Sequence, residues 1–222
     1  SLTVNGAVVA TQAIASKVLT RNAAAASFTP VTGSGGTTPL TWSVSPALPT
    51  GLAMASSTGA VTGTPTVSAA ATTHTVTVTD ANGATATATF SLTVNGAVVA
   101  TQAIAAKVLT RDTAASFTPV TGSGGTTPLA YSVSPALPTG LSMASASGAV
   151  TGTPTATAVT TTYTVTVTDA NSATATATFS LTVNAAVTAT QAVASTVLTR
   201  NAAATSFTPV TGSGGTSPLA YS

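Results

Sequence analysis

The chain reads as an all-β protein made of tandem two-sheet modules, and three observations carry that reading. A long phrase recurs: SLTVN opens at Ser1, Ser91 and Ser180, and residues 91–109 repeat residues 1–19 with only Ser16 changed, to Ala106. Apolar and hydroxyl side chains alternate with period two along Ala84 to Val94, ATATATFSLTV, the pattern of a strand with one dry face. Glycine and proline punctuate the remaining short apolar stretches, as turns between strands require.

Each element follows from the residues. His74, Val76 and Val78 alternate with Thr75, Thr77 and Thr79, and Asp80, Ala81, Asn82 and Gly83 supply turn chemistry before the long strand begins, so the two runs form a β-hairpin. Upstream, Phe28 to Val31 and Leu40 to Val44 are short strands separated by the glycine-rich TGSGGTTP, and Gly51 to Thr62 is a small hairpin turning near Ser57 to Gly59. The alanine clusters Ala23–Ala26 and Ala69–Ala71 are short and flanked by threonine and proline, which makes them strand edges or loops rather than helices. About seven short antiparallel strands in about 90 residues predict a β-sandwich of immunoglobulin-like type.

Boundaries follow from the strands. Asn5-Gly6-Ala7, Asn95-Gly96-Ala97 and Asn184-Ala185-Ala186 stand after each long strand, so modules are expected at 7–95 and 96–184. Residues 1–6 are then the last strand of a preceding module plus a linker, and 185–222 the first half of a further one. The chain is expected to be a segment of a longer array. Linkers this short predict a semi-rigid rod.

Composition narrows the function classes. Charged residues make up 4% of the chain, against about 25% in an average soluble protein. Five bases and three acids, spread thinly, form no basic patch, so nucleic acid is not an expected partner. No stretch approaches the ~18 apolar residues that span a bilayer. Cysteine is absent, which excludes disulfides and thiolate metal sites.

The stretch SPALPTGLAMASSTGAVTGTPT, Ser45 to Thr66, returns at Ser134 to Thr155. With Leu48, Pro49, Gly51 and Leu52, then Gly59, then Gly63, Thr64, Pro65 and Thr66, then Val76, Val78, Asp80 and Gly83, it resembles the He_PIG-type immunoglobulin-like repeats of bacterial surface proteins, relatives of cadherin-like modules. That resemblance implies tandem sandwiches on large secreted or cell-surface proteins, often as adhesin spacers, and no active site. The chain differs from the common pattern in having no acid between Ala53 and Thr58.

Candidate chemistry is sparse. The single histidine, His74, is matched by Tyr163 in the next copy, which points to an aromatic-sized inward position rather than a general base. Paired carboxylates, a nucleophile elbow and histidine clusters are missing from the sequence, so no enzyme is expected. Calcium takes six to eight oxygens, and the candidate ligands are Asp80 with Asn82 and Asp169 with Asn171. The preferred reading is a turn in which each aspartate caps backbone amides, so no cofactor or metal is expected and calcium stands as the alternative. A Lys–Asn cross-link is disfavoured because Lys17 and Lys107 give way to Thr196, while a Thr–Gln ester keeps its recurring pair at Thr11 and Gln12. Trp42, Tyr131 and Tyr221 share one position and are expected to pack on the inner face.

The leading expectation is a structural repeat of a giant extracellular bacterial fibre, sheath or adhesin stalk, acting as spacer and assembly unit. Its partners are copies of itself, end to end and laterally, through nearly neutral threonine-rich faces. No N-x-S/T sequon occurs, so any glycan on those hydroxyls is O-linked. The alternatives are an adhesin module that binds a host or matrix glycan or a protein, and a viral tail-fibre or capsid decoration repeat.

Overall fold

A computed structural model describes residues 4–222. Ser1, Leu2 and Thr3, which belong to the strand expected to end a preceding module, lie outside the described residues. Among the described residues every regular element is a strand. The chain divides into two compact units. The first is Ser1–Val99 with Gly122–Leu129 and Val167–Ala175, and the second is Ala100–Thr121 with Ala130–Thr166 and Thr176–Ser222.

The first repeat holds nine strands: β1 (Val9–Gln12), β2 (Ser16–Thr20), β3 (Ala25–Phe28), β4 (Val31–Ser34), β5 (Thr41–Ser45), β6 (Leu52–Met54), β7 (Val61–Gly63), β8 (Ala69–Thr79) and β9 (Thr85–Asn95). They form a four-stranded sheet in the order β2-β9-β8-β5, a three-stranded sheet β3-β7-β6 and the pair β1-β4. Nine strands form where about seven were expected, because proline breaks the Phe28–Val31 run and a turn separates β1 from β2. Pro30 has no N–H to continue a ladder, so β3 stops before it and β4 starts after it. Its carbonyl accepts the amides of Ala13 and Ile14 at 2.8 and 3.1 Å, and that turn divides β1 from β2. Strand β4 also runs into the glycine-rich phrase read as a loop, pairing Val31–Ser34 with β1.

The expected hairpins form. β8 pairs antiparallel with β9 from Thr79↔Thr85 onward, and β6 pairs with β7. One pairing departs from the antiparallel expectation: β2 lies parallel to β9, with Ser16↔Ser91 at one end and Thr20↔Asn95 at the other. A parallel neighbour needs a long crossover, and here the crossover is the body of the sandwich itself.

The core follows the alternation. Leu19, Phe28, Val31, Val61, Val76, Val78, Phe90, Leu92 and Val94 are buried together, and Trp42, Leu52 and Met54 pack against them. Removing a valine or leucine side chain from water contributes about 1.5–3 kcal/mol, so this run of apolar positions accounts for stability without disulfides. Outward positions of β8 and β9 carry threonine and serine, which suit a pleated, half-exposed surface.

The second repeat is built alike. Its strands are β10 (Val99–Gln102), β11 (Ala106–Thr110), β12 (Ala115–Phe117), β13 (Val120–Ser123), β14 (Ala130–Ser134), β15 (Leu141–Met143), β16 (Val150–Gly152), β17 (Ala158–Thr168) and β18 (Thr174–Asn184). The sheet orders repeat as β11-β18-β17-β14, β12-β16-β15 and β10-β13. Buried Leu109, Phe117, Val120, Val150, Val165, Val167, Phe179, Leu181 and Val183 match the first core position for position. Residues 185–222 contribute β19 (Thr188–Gln191) and β20 (Val210–Ser213), paired antiparallel.

Candidate functional site

The β8–β9 turn positions Asp80. Its own amide bonds Ala84 O at 2.9 Å, closing the hairpin. Oδ1 of its carboxylate accepts the amides of Asn82 at 3.0 Å and Ala84 at 2.8 Å. Oδ2 accepts the Thr37 amide at 2.9 Å, which ties the hairpin tip to the loop after β4. The Asn82 side-chain amide donates to Thr37 Oγ1 at 2.9 Å, and so does that of Asn5, also at 2.9 Å. The carboxyl is held below its ordinary value, first by the Thr37 amide, then against desolvation by the amides of Ala84, Asn82 and Gly83.

Asp169 repeats this arrangement and adds to it. Asn171 and Ala173 donate to Oδ1 at 2.9 and 2.8 Å, and the Thr126 amide to Oδ2 at 2.8 Å. All of these residues belong to the first compact unit, and within it the Thr20 hydroxyl also donates to Oδ2. Thr20 Oγ1 lies 3.1 Å from Thr126 Oγ1, Asn171 Nδ2 donates to it at 3.1 Å, and Asn95 Nδ2 donates to Thr126 Oγ1 at 3.0 Å. Thr20 is 1% and Asp169 5% exposed. Burial there works to raise the Asp169 pKa, yet the Thr20 hydroxyl and the amides of Thr126, Ala173 and Asn171 bring it below the ordinary value.

The arrangement gathers N–H and O–H donors around an acceptor, which stabilises an ionised carboxylate by charge-assisted hydrogen bonds. Asn82 and Asn171 turn their NH₂ groups toward threonine hydroxyls. Among the described residues no three His, Cys, Asp or Glu side chains come together as metal ligands would. The alternative calcium candidates stand side by side, Asp80 with Asn82 and Asp169 with Asn171, and their hydrogen-bond partners are drawn from the protein.

Other candidates sit elsewhere. His74, 2% exposed, stacks on Phe90 with ring centres 5.4 Å apart, and its Nδ1 is 2.9 Å from Pro46 O. Its Nε2 is buried with no hydrogen-bond partner. Tyr163 stacks on Phe179 at the same 5.4 Å. Trp42 is half-buried and donates from Nε1 to Val31 O at 3.2 Å, whereas Tyr221 is 66% exposed. Lys17 lies over the Phe28 ring at 5.5 Å and Lys107 over Phe117 at 5.7 Å, a cation–π contact. Gln12 donates to Thr89 O. Beside Thr20, a cleft of about 190 Å³ is lined by Lys17, Leu19, Ala23 and Asn171 among others, below the ~300 Å³ at which ligand pockets begin.

Sequence reasoning missed Thr20, Thr37 and Thr126. Their signal was recurrence, since Thr20, Thr110 and Thr199 stand in one column and Thr37, Thr126 and Thr216 in another, but threonine is so common in this chain that neither column stood out.

Residues 7–95 and 97–184 each match the family model described as Putative Ig domain, He_PIG. No curated protein matches the chain. Among solved structures, an I-band fragment of titin is similar at 12% identity and TM-score 0.49, the match covering 83% of this chain and 67% of that one. Extracellular cadherin domains 1-4 of protocadherin gamma B7 match at 13% identity and TM-score 0.36, over 88% of this chain and 56% of theirs. Drosophila OTK extracellular domains 3-5 match at 14% identity and TM-score 0.33, over 80% and 65%.

Proposed function

The chain belongs to the Putative Ig domain family, and from that membership we propose that it is a structural segment of an extracellular bacterial fibre, sheath or adhesin stalk. Its repeats act as spacers, and its partners are copies of itself. The observation that carries this reading is the outer face of the long hairpin. Thr73, Thr75, Thr77 and Thr79 on β8 stand beside Thr85, Thr87, Thr89, Ser91 and Thr93 on β9, with no charge among them, and Thr162, Thr164, Thr166 and Thr168 on β17 beside Thr174, Thr176, Thr178, Ser180 and Thr182 on β18 restate that face. A surface conserved between repeats in this way, without aromatic or arginine anchors, suits uniform packing better than recognition of one ligand. Like the core, it is specified afresh by each copy.

Negative-stain electron microscopy tests the proposal. The expected result is a rod or fibre whose axial repeat is about 35–45 Å per module, from strands of about eleven residues at ~3.3 Å each plus a linker. Compact, monodisperse globules would sink it.

A further inference from the structure

We propose that Thr37, Asp80 and Asn82 form a socket whose occupant is the Thr–Asn rung that ends the β2–β9 pair of another copy of this repeat. The inference rests on the tandem-repeat reading above and names the partner of one surface within it.

The counterpart at Asp169 is occupied. Thr20 and Asn95 are register partners on the last rung of the parallel β2–β9 pair. Within the first unit both reach the Asp169 group: Thr20 donates to the carboxylate, and Asn95 donates to the Thr126 hydroxyl. The β11–β18 pair ends on the same rung, Thr110 beside Asn184. Those two lie 3.5 and 3.2 Å from Thr216 Oγ1, the residue in the Thr126 column. The rung and its receiving threonine therefore meet twice, in different copies, with the same atoms.

The Asp80 group has the receiving geometry. Its three backbone bonds to the carboxylate agree with those at Asp169 to within 0.1 Å: Thr37 against Thr126 at 2.9 and 2.8 Å, Asn82 against Asn171 at 3.0 and 2.9 Å, and Ala84 against Ala173 at 2.8 Å in both. Half of the rung is already seated, because Asn5 donates to Thr37 at 2.9 Å as Asn95 does to Thr126 at 3.0 Å. Beside it a cleft of about 340 Å³ runs between Asn5, Gly6, Gly36, Thr37 and Asp80. The rung partner of Asn5, by the pairing that joins Thr20 to Asn95, is a threonine from another copy's β2. A hydroxyl there would complete the carboxylate as Thr20 does, and a hydrogen bond to a charged acceptor is among the stronger ones.

The chain lends itself to a direct test, because residues 1–6 and 91–96 are the same six, SLTVNG. Placing an added copy of residues 1–90 ahead of Ser1 reproduces the natural Phe90–Ser91 junction. In the added copy Trp42 is replaced by tyrosine, the residue at Tyr131 in the second repeat, so that the original Trp42 alone reports unfolding of the repeat that carries Asp80. The expected result is an unfolding constant about tenfold lower for that repeat in the extended chain than in residues 1–222. Thr20→Val in the added copy should undo the gain. In an Asp80→Asn background the same Thr20→Val should have no further effect, which separates the pairing from a general loss of stability. An unchanged unfolding constant overturns the proposal, and so does a gain that survives Thr20→Val. Either failure leaves the fibre reading to be judged by microscopy alone.

Discussion

Replacing Gly63 with alanine probes the physical basis of the GTPT phrase. Gly63 ends β7 at φ 121°, and a β-carbon built on it would lie 2.1 Å from the Gly51 carbonyl oxygen. Gly51, at φ 96°, faces it with the reciprocal problem, its β-carbon falling 2.0 Å from Thr64 O. The two glycines let the β6 and β7 backbones close on each other, with Thr64 N bonded to Gly51 O at 3.0 Å and Thr66 N to Thr50 O at 2.9 Å. Pro65 O, two residues after Gly63, accepts the Asn22 amide at 2.8 Å, so a shift here reaches the turn after β2.

The magnitude can be assembled from parts. Backbone strain at a positive φ costs about 1–3 kcal/mol, and losing the Thr64–Gly51 hydrogen bond costs about 1 kcal/mol more. The forced displacement adds about 1–3 kcal/mol as overpacking does, while the stiffer unfolded chain returns about 0.4–1 kcal/mol. The expected destabilisation is about 2–6.6 kcal/mol, centred near 4, a large part of the stability of a domain this size. Urea unfolding followed by Trp42 fluorescence measures it cleanly, because the chain has a single tryptophan and it lies in the same repeat. Two glycines serve as controls. Gly83 has φ 85° but open space around it, and its counterpart Ser172 adopts φ 66°, so Gly83→Ser should cost only about 1 kcal/mol of strain. Gly6 has neither constraint, and Gly6→Ala should stay within about 0.5 kcal/mol. A loss at Gly63→Ala no larger than at Gly83→Ser would refute the close-approach argument.

Three further outcomes are expected. His74→Tyr should change the stability of the first repeat by less than about 1 kcal/mol in urea unfolding, because removing the unpartnered Nε2 is offset by losing the Nδ1 contact with Pro46 O, while the ring stacking is kept, as Tyr163 stacks on Phe179. Acid should lower the melting temperature. Asp80 and Asp169 are both depressed below 3.8 in the folded state, so their contribution is complete above that value and is lost as pH falls through it toward the folded pKa. Calorimetry should find a steady midpoint from about pH 7 to 5 and a decline below about pH 4, shallower in Asp169→Asn. Adding calcium or a chelator should leave the midpoint unmoved, since both carboxylates are engaged by protein donors, and a calcium-dependent rise would revive Asp80, Asn82, Asp169 and Asn171 as ligands.

Much of the fold was legible because one signal, period-two alternation, is strong wherever a strand has one dry face. The Phe90–Leu92–Val94 face followed from it, while the Asp80–Gly83 turn and the Leu52–Val61 hairpin followed from their turn residues. The parallel β2–β9 pairing did not, because strand direction is set by where the chain's two ends meet across the module and leaves no local mark in SKVLT. The Asp169 group was half legible for a related reason. An aspartate followed two residues later by asparagine announces a turn, whereas its other partners are 43 and 149 residues away, at Thr126 and Thr20. Threonine fills the outer faces of the long strands β8, β9, β17 and β18 for β propensity alone, so a threonine placed to donate to a buried carboxylate looks like any other. Only its position on a terminal rung, beside an asparagine, distinguishes Thr20 from Thr75 or Thr87. That rung returns at Thr110 and Asn184, where both side chains again reach a single receiving threonine, Thr216. Recurrence of a contact, rather than recurrence of a residue, is therefore what separates a joint from decoration in a chain whose every segment recurs.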